Sequence, residues 1–420
     1  MIVNADQPFW KRPIVLLGGL FFLFGFVTWL NAALIPYLKL ACELSNLESY
    51  LVAFAFYISY FVMAIPSSWV LQRTHLKQGM VLGLMVMAIG ALLFIPAAYL
   101  RTYGLFLTGL FITGAGLALL QTAANPYVTM LGPVESGARR ISIMGICNKT
   151  AGAISPYLLG SVLLANADKL QEQLKYAGAV ERQALLDALA LKVIPPYVLL
   201  TLALAGLALW VRYSPLPDLA QTGTETVGEP LPQRPSVLHY PHLVLGVVAL
   251  FFYVGAEVIA GDTIIAYGIE LGFSMQTAKT FTTFTLLSML CGYLLAVWTI
   301  PRLIRQEKFL LYSAMLGLGL SVLIVVTPPA WSVASVALLG LANAVMWPAI
   351  WPLALYGLGN YTKLASALLI MAIAGGALLP LMYGHLADRF NAQSAYLVLL
   401  PCYLIILIYA WRGHRIRHWH

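Results

Sequence analysis

Long runs of residues without a charged side chain constrain this chain more than any other sequence feature. Residues 104–134 are 31 consecutive uncharged residues, and about 20 apolar residues are enough for a helix to cross a bilayer. Only 10% of the 420 residues are charged, against about 25% in a soluble domain, and the mean hydropathy is +0.84. Because a backbone in lipid must satisfy its own hydrogen bonds, these runs predict transmembrane helices and an all-α membrane protein.

Twelve transmembrane helices are predicted from these runs. They lie near residues 13–38, 50–71, 78–99, 104–132, 140–164, 194–211, 242–269, 280–303, 309–327, 331–358, 364–385 and 393–411. A polar, proline-rich cytoplasmic linker at 214–241 separates the first six helices, in residues 1–213, from the last six, in residues 242–420. The first helix has 26 uncharged residues and no small-residue cleavage site, so we expect it to be retained rather than removed as a signal peptide.

Loop charges predict the orientation of the helices. If both termini are cytoplasmic, the inside loops carry 15 Lys and Arg residues and the outside loops carry 8, which is the asymmetry found in membrane proteins. This anchoring accounts for the net charge of +8, so no nucleic-acid partner is expected. The segment 165–193 mixes charged residues with alanine and leucine, and is predicted to form one short extracellular amphipathic helix.

Several function classes find no support in the sequence. There is no phosphate-binding P-loop, no metal-ligand spacing and no strand-turn-helix nucleophile elbow. The cysteines are scattered and are interpreted as packing residues: Cys42, Cys147, Cys291 and Cys402. We therefore expect neither an enzyme nor a metal or organic cofactor. A coupling ion, H⁺ or Na⁺, remains possible.

The two halves of the chain repeat each other. A shift of 224 residues aligns helix 5 with helix 11, and matches Ser142, Gly152, Ala153, Pro156 and Gly160 with Ser366, Gly376, Ala377, Pro380 and Gly384. A shift of 230 residues aligns helix 1 with helix 7, and matches Phe21, Phe22, Gly25 and Tyr37 with Phe251, Phe252, Gly255 and Tyr267. Both shifts keep the helices in order. They predict two pseudo-symmetric six-helix halves, the plan of the major facilitator fold, with the substrate site at mid-membrane between them.

The stretch QTAANPY at 121–127 places polar groups inside one of the uncharged runs. Hydrocarbon offers no hydrogen-bond partner, so Gln121 and Asn125 must be paired or face a wet cavity. They are four residues apart and share one helix face. Two interpretations stay open: polar contacts that hold helices together, with Pro126 as a kink, or a helix that faces the substrate. We favour the second.

Three charged residues are predicted to lie within the membrane. Lys149 is nine residues past Arg140, which places it about 14 Å along the helix, near the bilayer centre. A lysine there costs at least ~2.5 kcal/mol, so we expect it to face water or one of two acids of helix 7, Glu257 and Asp262. These acids point about 140° apart and cannot both face one neighbour. The group is either a structural pairing between helices or a site of ion or proton coupling, because protonation changes the pairing.

Several aromatic residues lie within helices rather than at their ends, where interfacial aromatic belts are found: Trp29, Tyr57, Tyr253, Trp347 and Trp351. Trp347 and Trp351 are four residues apart and share one face. Aromatic faces with amides nearby suit the C–H faces and hydroxyl edges of a sugar, although each aromatic taken singly is equally well explained by packing. The candidate sugar contacts from this part of the argument are Trp29, Trp347, Trp351 and Asn343.

Four stretches carry a resemblance to a known family. They are FFLFGFVTWLNAALIP at 21–36, QTAANPYVTMLGP at 121–133, an arginine leading a helix with a central asparagine at 140–148, and YVGAEV at 253–258. Over nearly its whole length the chain resembles the fucose/galactose/glucose symporters of the major facilitator superfamily, and among them the bacterial glucose/galactose transporters and N-acetylglucosamine permeases more than fucose permease. The resemblance implies four amide residues of the sugar site: Asn31, Gln121, Asn125 and Asn148.

The chain also departs from that family at acidic positions. Fucose permease has a glutamate where this chain has Gln121, and much of the family has an aspartate where it has Ala32. In the family these acids handle the proton and the substrate. We therefore expect any coupling to run through Lys149, Glu257 and Asp262 instead.

Together these features predict secondary active uptake of a sugar by alternating access, coupled to a cation. The sugar is a hexose such as glucose or galactose, or N-acetylglucosamine, and the protein is a monomer in a bacterial inner membrane. Two alternatives stay open: an uncoupled uniporter or exporter of the same fold, and a non-transporting sugar sensor. Several amides at one depth argue against the apolar cavity of a drug exporter, and we expect a sensor to need a longer extension than the nine residues after Trp411.

Overall fold

The computed structural model describes residues 13–130, 137–214, 216, 235–300, 303–358 and 361–417. Within these ranges the regular structure is helical and no strand occurs. Twelve of the helices there are long and apolar enough to cross a membrane. The prediction of an all-α, twelve-span, multi-pass membrane protein is therefore confirmed.

The twelve spans are called α1 to α12 in chain order. The first six are α1 Pro13–Ala41, α2 Leu51–Leu71, α3 Arg73–Leu100, α4 Tyr103–Met130, α5 Gly137–Leu163 and α6 Ile194–Tyr213. The last six are α7 Pro241–Asp262 with its continuation Ile264–Glu270, α8 Phe281–Thr299, α9 Gln306–Val326, α10 Pro329–Leu355, α11 Leu364–Arg389 and α12 Ala392–Arg415.

Four of the spans are interrupted within their length, which the sequence did not predict. α1 breaks at Leu30, α7 at Thr263 and α10 between Asn343 and Met346, while a 3₁₀ turn interrupts α11. Asn31 follows the first break, Asp262 precedes the second and Asn343 precedes the third. A broken helix frees backbone polar groups, and membrane proteins tolerate this only where the break is buried in protein or lines a cavity. The breaks therefore mark a polar zone at mid-membrane.

Close helix contacts occur at glycine in both halves. α1 approaches α5 at Gly25, where a Cβ atom would collide with the backbone carbonyl of Asn148. α7 approaches α11 at Gly375, where a Cβ atom would collide with the backbone carbonyl of Phe251. Small residues allow helix backbones to approach closely in a membrane. In both halves the first and fifth helices therefore approach closely at a glycine, which lies on α1 in the first half and on α11 in the second.

The first six helices meet the last six mainly through α5 with α8 and through α2 with α11. Several polar contacts between the two sets lie at the end of the molecule where α1 ends and α2 begins, here called the distal end. Lys39 Nζ lies 2.9 Å from Glu270 Oε1, and the Asp388 carboxylate accepts the backbone N–H groups of Asn46 and Leu47 at 3.1 and 2.8 Å. This conformation is therefore closed at the distal end.

Two connecting segments, 165–193 and 214–241, had predicted structures or roles. The segment 165–193 forms two helices, Ala167–Tyr176 and Ala179–Leu191, so the prediction of one helix was wrong. The cause is the extended backbone of Ala177 and Gly178, which ends the first helix and begins the second. Most of the predicted linker 214–241 lies outside the described residues, since 215 and 217–234 are not among them, and the boundary between the halves stays a prediction.

Candidate functional site

An ion pair joins α5 to α7 in the interior of the molecule. Lys149 Nζ lies 2.8 Å from Glu257 Oε1, and only 11% and 13% of the two side chains are exposed. Of the two acids that the sequence offered as partners for Lys149, the structure therefore brings Glu257 to it. Charges taken out of water at this depth are tolerated when they are paired.

Trp29 lies beneath this ion pair. Lys149 Nζ is 4.9 Å from the centroid of the Trp29 ring, a distance at which an ammonium group is attracted to the face of an indole. Gly152 of α5 and Gly261 of α7 flank the same ring so closely that a Cβ atom on either would collide with it. Trp29 is only 2% exposed, so it has no room for a sugar contact in this conformation.

Two tyrosines complete the surroundings of Glu257. Tyr253 lies one turn before it on α7, and Tyr293 reaches it from α8; both are close enough to interact electrostatically with its carboxylate. The spacing of four residues could have indicated Tyr253, because such residues share a helix face. Nothing in the sequence indicated Tyr293, because its position depends on how α8 packs against α7.

Asp262 lies apart from the ion pair. Its side chain is completely buried, and neither carboxylate oxygen has a hydrogen-bond partner among the residues that the structure describes. Two threonine hydroxyls close to it in the fold bond elsewhere: Thr282 Oγ1 donates to the Gly261 carbonyl and Thr263 Oγ1 donates to the Ile259 carbonyl, both at 2.7 Å. A buried polar group without a partner is unusual and calls for an explanation.

The amides of α4 and α5 are partly accessible. Gln121 Nε2 donates to the Tyr60 hydroxyl at 3.3 Å, and Asn148 Nδ2 donates to the Phe21 carbonyl at 3.3 Å. Asn125, one turn after Gln121, is exposed. In both bonds the amide nitrogen is the donor, which leaves the side-chain carbonyl oxygen as a further acceptor. The exposed Asn125 amide adds donors on the same face as Gln121. This face of α4 is chemically suited to hydroxyl groups.

The remaining predicted residues are split between α10 and the break in α1. Trp347 and Trp351 are half-buried and stacked, with ring centroids 5.2 Å apart and planes inclined by 24°. Asn343 is fully buried, and its Oδ1 accepts a hydrogen bond from the Tyr403 hydroxyl at 2.9 Å. Asn31 is 1% exposed. Within the described ranges, the Nδ2 atoms of both residues have no hydrogen-bond partner.

The predicted residues thus fall into two sets. Lys149, Glu257 and Trp29 form one cluster, whereas the accessible candidates are Gln121, Asn125, Asn148, Trp347 and Trp351. Asn31, Asn343 and Asp262 are buried and touch no open space in this conformation. Among the described residues no group of three or more His, Cys, Asp or Glu side chains could hold a metal ion.

Comparisons with known proteins agree with this architecture. The family described as Major Facilitator Superfamily matches residues 17–368. A glucose/galactose transporter of Brucella abortus is 35% identical over 415 residues, covering 98% of this chain and 96% of the relative. The L-fucose-proton symporter of Escherichia coli is 31% identical over 409 residues, covering 95% of this chain and 92% of the relative.

A solved structure shows the same relationship. The crystal structure of a major facilitator superfamily transporter, FucP, in the outward conformation superimposes with a TM-score of 0.72 at 30% identity, covering 95% of this chain and 97% of that chain. These relatives are transporters rather than enzymes. The chain belongs to the Major Facilitator Superfamily, within the group that contains bacterial glucose/galactose transporters and L-fucose-proton symporters.

Proposed function

We propose that this protein is a sugar transporter of a bacterial inner membrane. It moves a hexose such as glucose or galactose, or N-acetylglucosamine, by alternating access, and couples the movement to H⁺ or Na⁺. The protein acts as a monomer with both termini in the cytoplasm. The observation that carries the proposal is the 35% identity to a glucose/galactose transporter over 98% of the chain.

The sugar binds between α1, α4 and α5 of the first half and α7, α10 and α11 of the second. Gln121 and Asn125 supply donors and acceptors for its hydroxyl groups, and the stacked Trp347 and Trp351 supply an apolar surface for its C–H face. Mid-membrane breaks in α1, α7 and α10 support this location, because transporters bind substrate at discontinuous helices.

Coupling runs through Lys149, Glu257 and Asp262. The Lys149–Glu257 pair joins the two halves, so a change in the charge of either residue alters the contact that must rearrange during alternating access. Glu257 and Asp262 lie on α7 of the second half, and the positively charged Lys149 lies on α5 of the first half.

The proposal is tested with purified protein in liposomes. Counterflow of labelled glucose, galactose and N-acetylglucosamine measures exchange, and uptake under an imposed H⁺ or Na⁺ gradient measures coupling. We expect Gln121→Ala to lower counterflow, because it removes an amide from the accessible face of α4. The matched control is Gln173→Ala, which removes an exposed amide from the helix Ala167–Tyr176 and should leave counterflow unchanged.

The same assays separate the alternatives. Counterflow without accumulation under either gradient would identify an uncoupled uniporter. Saturable sugar binding without any flux would identify a sensor and refute the transport proposal. Lys149→Ala and Glu257→Gln test the coupling assignment, because full gradient-driven accumulation in both variants would rule these residues out.

A further inference from the structure

We propose that Asp262 is the proton-carrying group of this transporter and is neutral in the distal-closed conformation. The inference rests on the proposed function and deepens it, since it assigns the coupling ion and gives the acids of α7 different tasks. Asp262 takes up one proton from water when the distal end is open, keeps it while that end closes, and releases it to water on the opposite side of the membrane after the sugar has left. The distal end then reopens with Asp262 ionised, so one proton crosses with each sugar. The Lys149–Glu257 pair is the contact between the halves that rearranges during coupling, and both of its groups stay charged while Asp262 carries the proton.

Asp262 is buried without a hydrogen-bond partner. Its side chain is 0% exposed, and in the described part of the chain no group donates a hydrogen bond to either carboxylate oxygen. An ionised carboxylate in such a place has lost its water and gained nothing in return, whereas a protonated carboxyl has no charge to solvate. Thr263 and Thr282, the hydroxyl residues beside it, donate to backbone carbonyls rather than to the carboxylate.

Four charged or titratable side chains surround Asp262 or its neighbours. They are Glu257 on the same helix, Lys149 on α5, Tyr57 on α2 and, through Thr263, Tyr396 on α12. Lys149 is committed to Glu257 at 2.8 Å, so its charge is already neutralised. The Lys149–Glu257 pair therefore offers Asp262 no free cation that would compensate an ionised carboxylate. α1 contributes Trp29, against Gly261, and α8 contributes Thr282 and Thr285, which donate to the Gly261 and Ala260 carbonyls.

The position of Asp262 links it to the closing of the distal end. Asp262 is the last residue of α7 before the break at Thr263, and the short continuation Ile264–Glu270 ends in the residue that pairs with Lys39. On the other side, Gly261 packs against Trp29 of α1. Closing the distal end therefore packs α1 and α7 around Asp262. Because burial of its ionised form is costly, closure requires the proton, and this requirement is the coupling.

The ion pair of Glu257 has no such requirement. In the distal-closed conformation Glu257 already has its cation, so the buried pair is stable with both groups charged. Substituting Glu257 removes a structural contact and leaves Lys149 unpaired, but leaves the protonation of Asp262 in place. The two acids are thus distinguishable by experiment.

The test compares Asp262→Asn with wild type in liposomes, using whichever of labelled glucose, galactose and N-acetylglucosamine the wild type exchanges. Asn mimics the neutral carboxyl. We expect counterflow at pH 7 to stay within about threefold of wild type, its decline at alkaline pH to disappear, and H⁺-driven accumulation to fall to the equilibrium ratio of 1. Asp187→Asn, at an exposed acid of the segment Ala179–Leu191, is the matched control and should accumulate sugar normally.

A spectroscopic measurement makes the proposal independent of transport. The purified wild type should show the infrared C=O stretch of a protonated carboxylic acid at pH 7, and Asp262→Asn should lack it. If Asp262→Asn retains H⁺-driven accumulation, if the infrared band is unaffected by the substitution, or if wild-type accumulation follows Na⁺ and ignores pH, the proposal is overturned. If the wild type moves no sugar but the band behaves as expected, the proposed function fails while the protonation of Asp262 stands.

Discussion

Removing Lys149 should destabilise this protein measurably, and the structure sets the size of the effect. At 2.8 Å and an effective dielectric constant of about 20, the attraction between Lys149 and Glu257 is about 6 kcal/mol before desolvation is subtracted. Removing one member of a buried pair costs about 3–5 kcal/mol, because the other charge stays buried alone. The exposed fractions of 11% and 13% place this pair in the buried class.

The expected shift in melting temperature follows from the unfolding entropy. With about 2.1 cal/mol/K per residue over 420 residues, a loss of 3–5 kcal/mol lowers Tm by about 3–6 °C. A membrane protein keeps many of its helices when it unfolds, which reduces the entropy and makes this the smallest shift expected. The assay is thermal unfolding of Lys149→Met in detergent, followed by tryptophan fluorescence, for which Trp29 lies next to the mutated group.

A double-mutant cycle isolates the pair. Lys149→Met with Glu257→Gln leaves no unpaired charge, so the double variant should recover at least half of the stability lost by Lys149→Met. The control cycle uses Arg101→Met and Asp187→Asn, whose pair is 3.0 Å long but has side chains 21% and 51% exposed, and should change Tm by less than about 1 °C. If the two losses at Lys149 and Glu257 simply add, the pair does not contribute as the geometry indicates and the reasoning is refuted.

Two other parts of the fold give predictions of their own. Gly25→Ala should lower the free energy of unfolding by about 1–3 kcal/mol, because its Cβ atom would collide with the Asn148 carbonyl. Gly206→Ala is the control, since Gly206 has open space around it, and should leave Tm unchanged or raise it. Equal effects of the two substitutions in thermal unfolding would contradict the close contact of α1 with α5. At the distal end, burial raises the pKa of the Cys42 thiol to about 11, so maleimide labelling of a variant that keeps only this cysteine should be slow at pH 7 and accelerate as the pH approaches 11. Asp388→Asn weakens the charged hydrogen bonds that close this end and should speed that labelling roughly tenfold; an unchanged rate would show that the carboxylate does not hold the end closed.

The membrane architecture could be predicted from the sequence because it depends on local composition. An uncharged run such as 104–134 is stable as a helix across the bilayer. The two prolines after Thr327 end a helix whatever its surroundings, because proline lacks the backbone N–H that a helix needs. The segment 165–193 shows the limit of that reasoning. Its amphipathic composition predicted helix correctly, but the extended backbone at Ala177 and Gly178 that divides it in two carried no decisive signal.

The breaks in α1, α7 and α10 could not be predicted for a related reason. None of them is at a proline: they fall at Leu30, at Thr263 and after Asn343. Residues of this kind are compatible with a continuous helix, so the interruption results from packing against other helices. Only the tertiary structure shows that Asn31, Asp262 and Asn343 adjoin these breaks.

By itself, the sequence determined that Lys149 needs a partner, that Glu257 and Asp262 were the available acids, and that their spacing prevents both from facing it. Which acid faces Lys149 depends on the rotation of α7 about its axis, and that rotation is set by contacts between residues distant in sequence, such as Gly261 against Trp29. The tertiary structure therefore decided that Glu257 is paired, that Trp29 is enclosed rather than open to a sugar, and that Asp262 is buried alone. The physical reason is that composition fixes what a helix must bury, while packing fixes which of its faces does so.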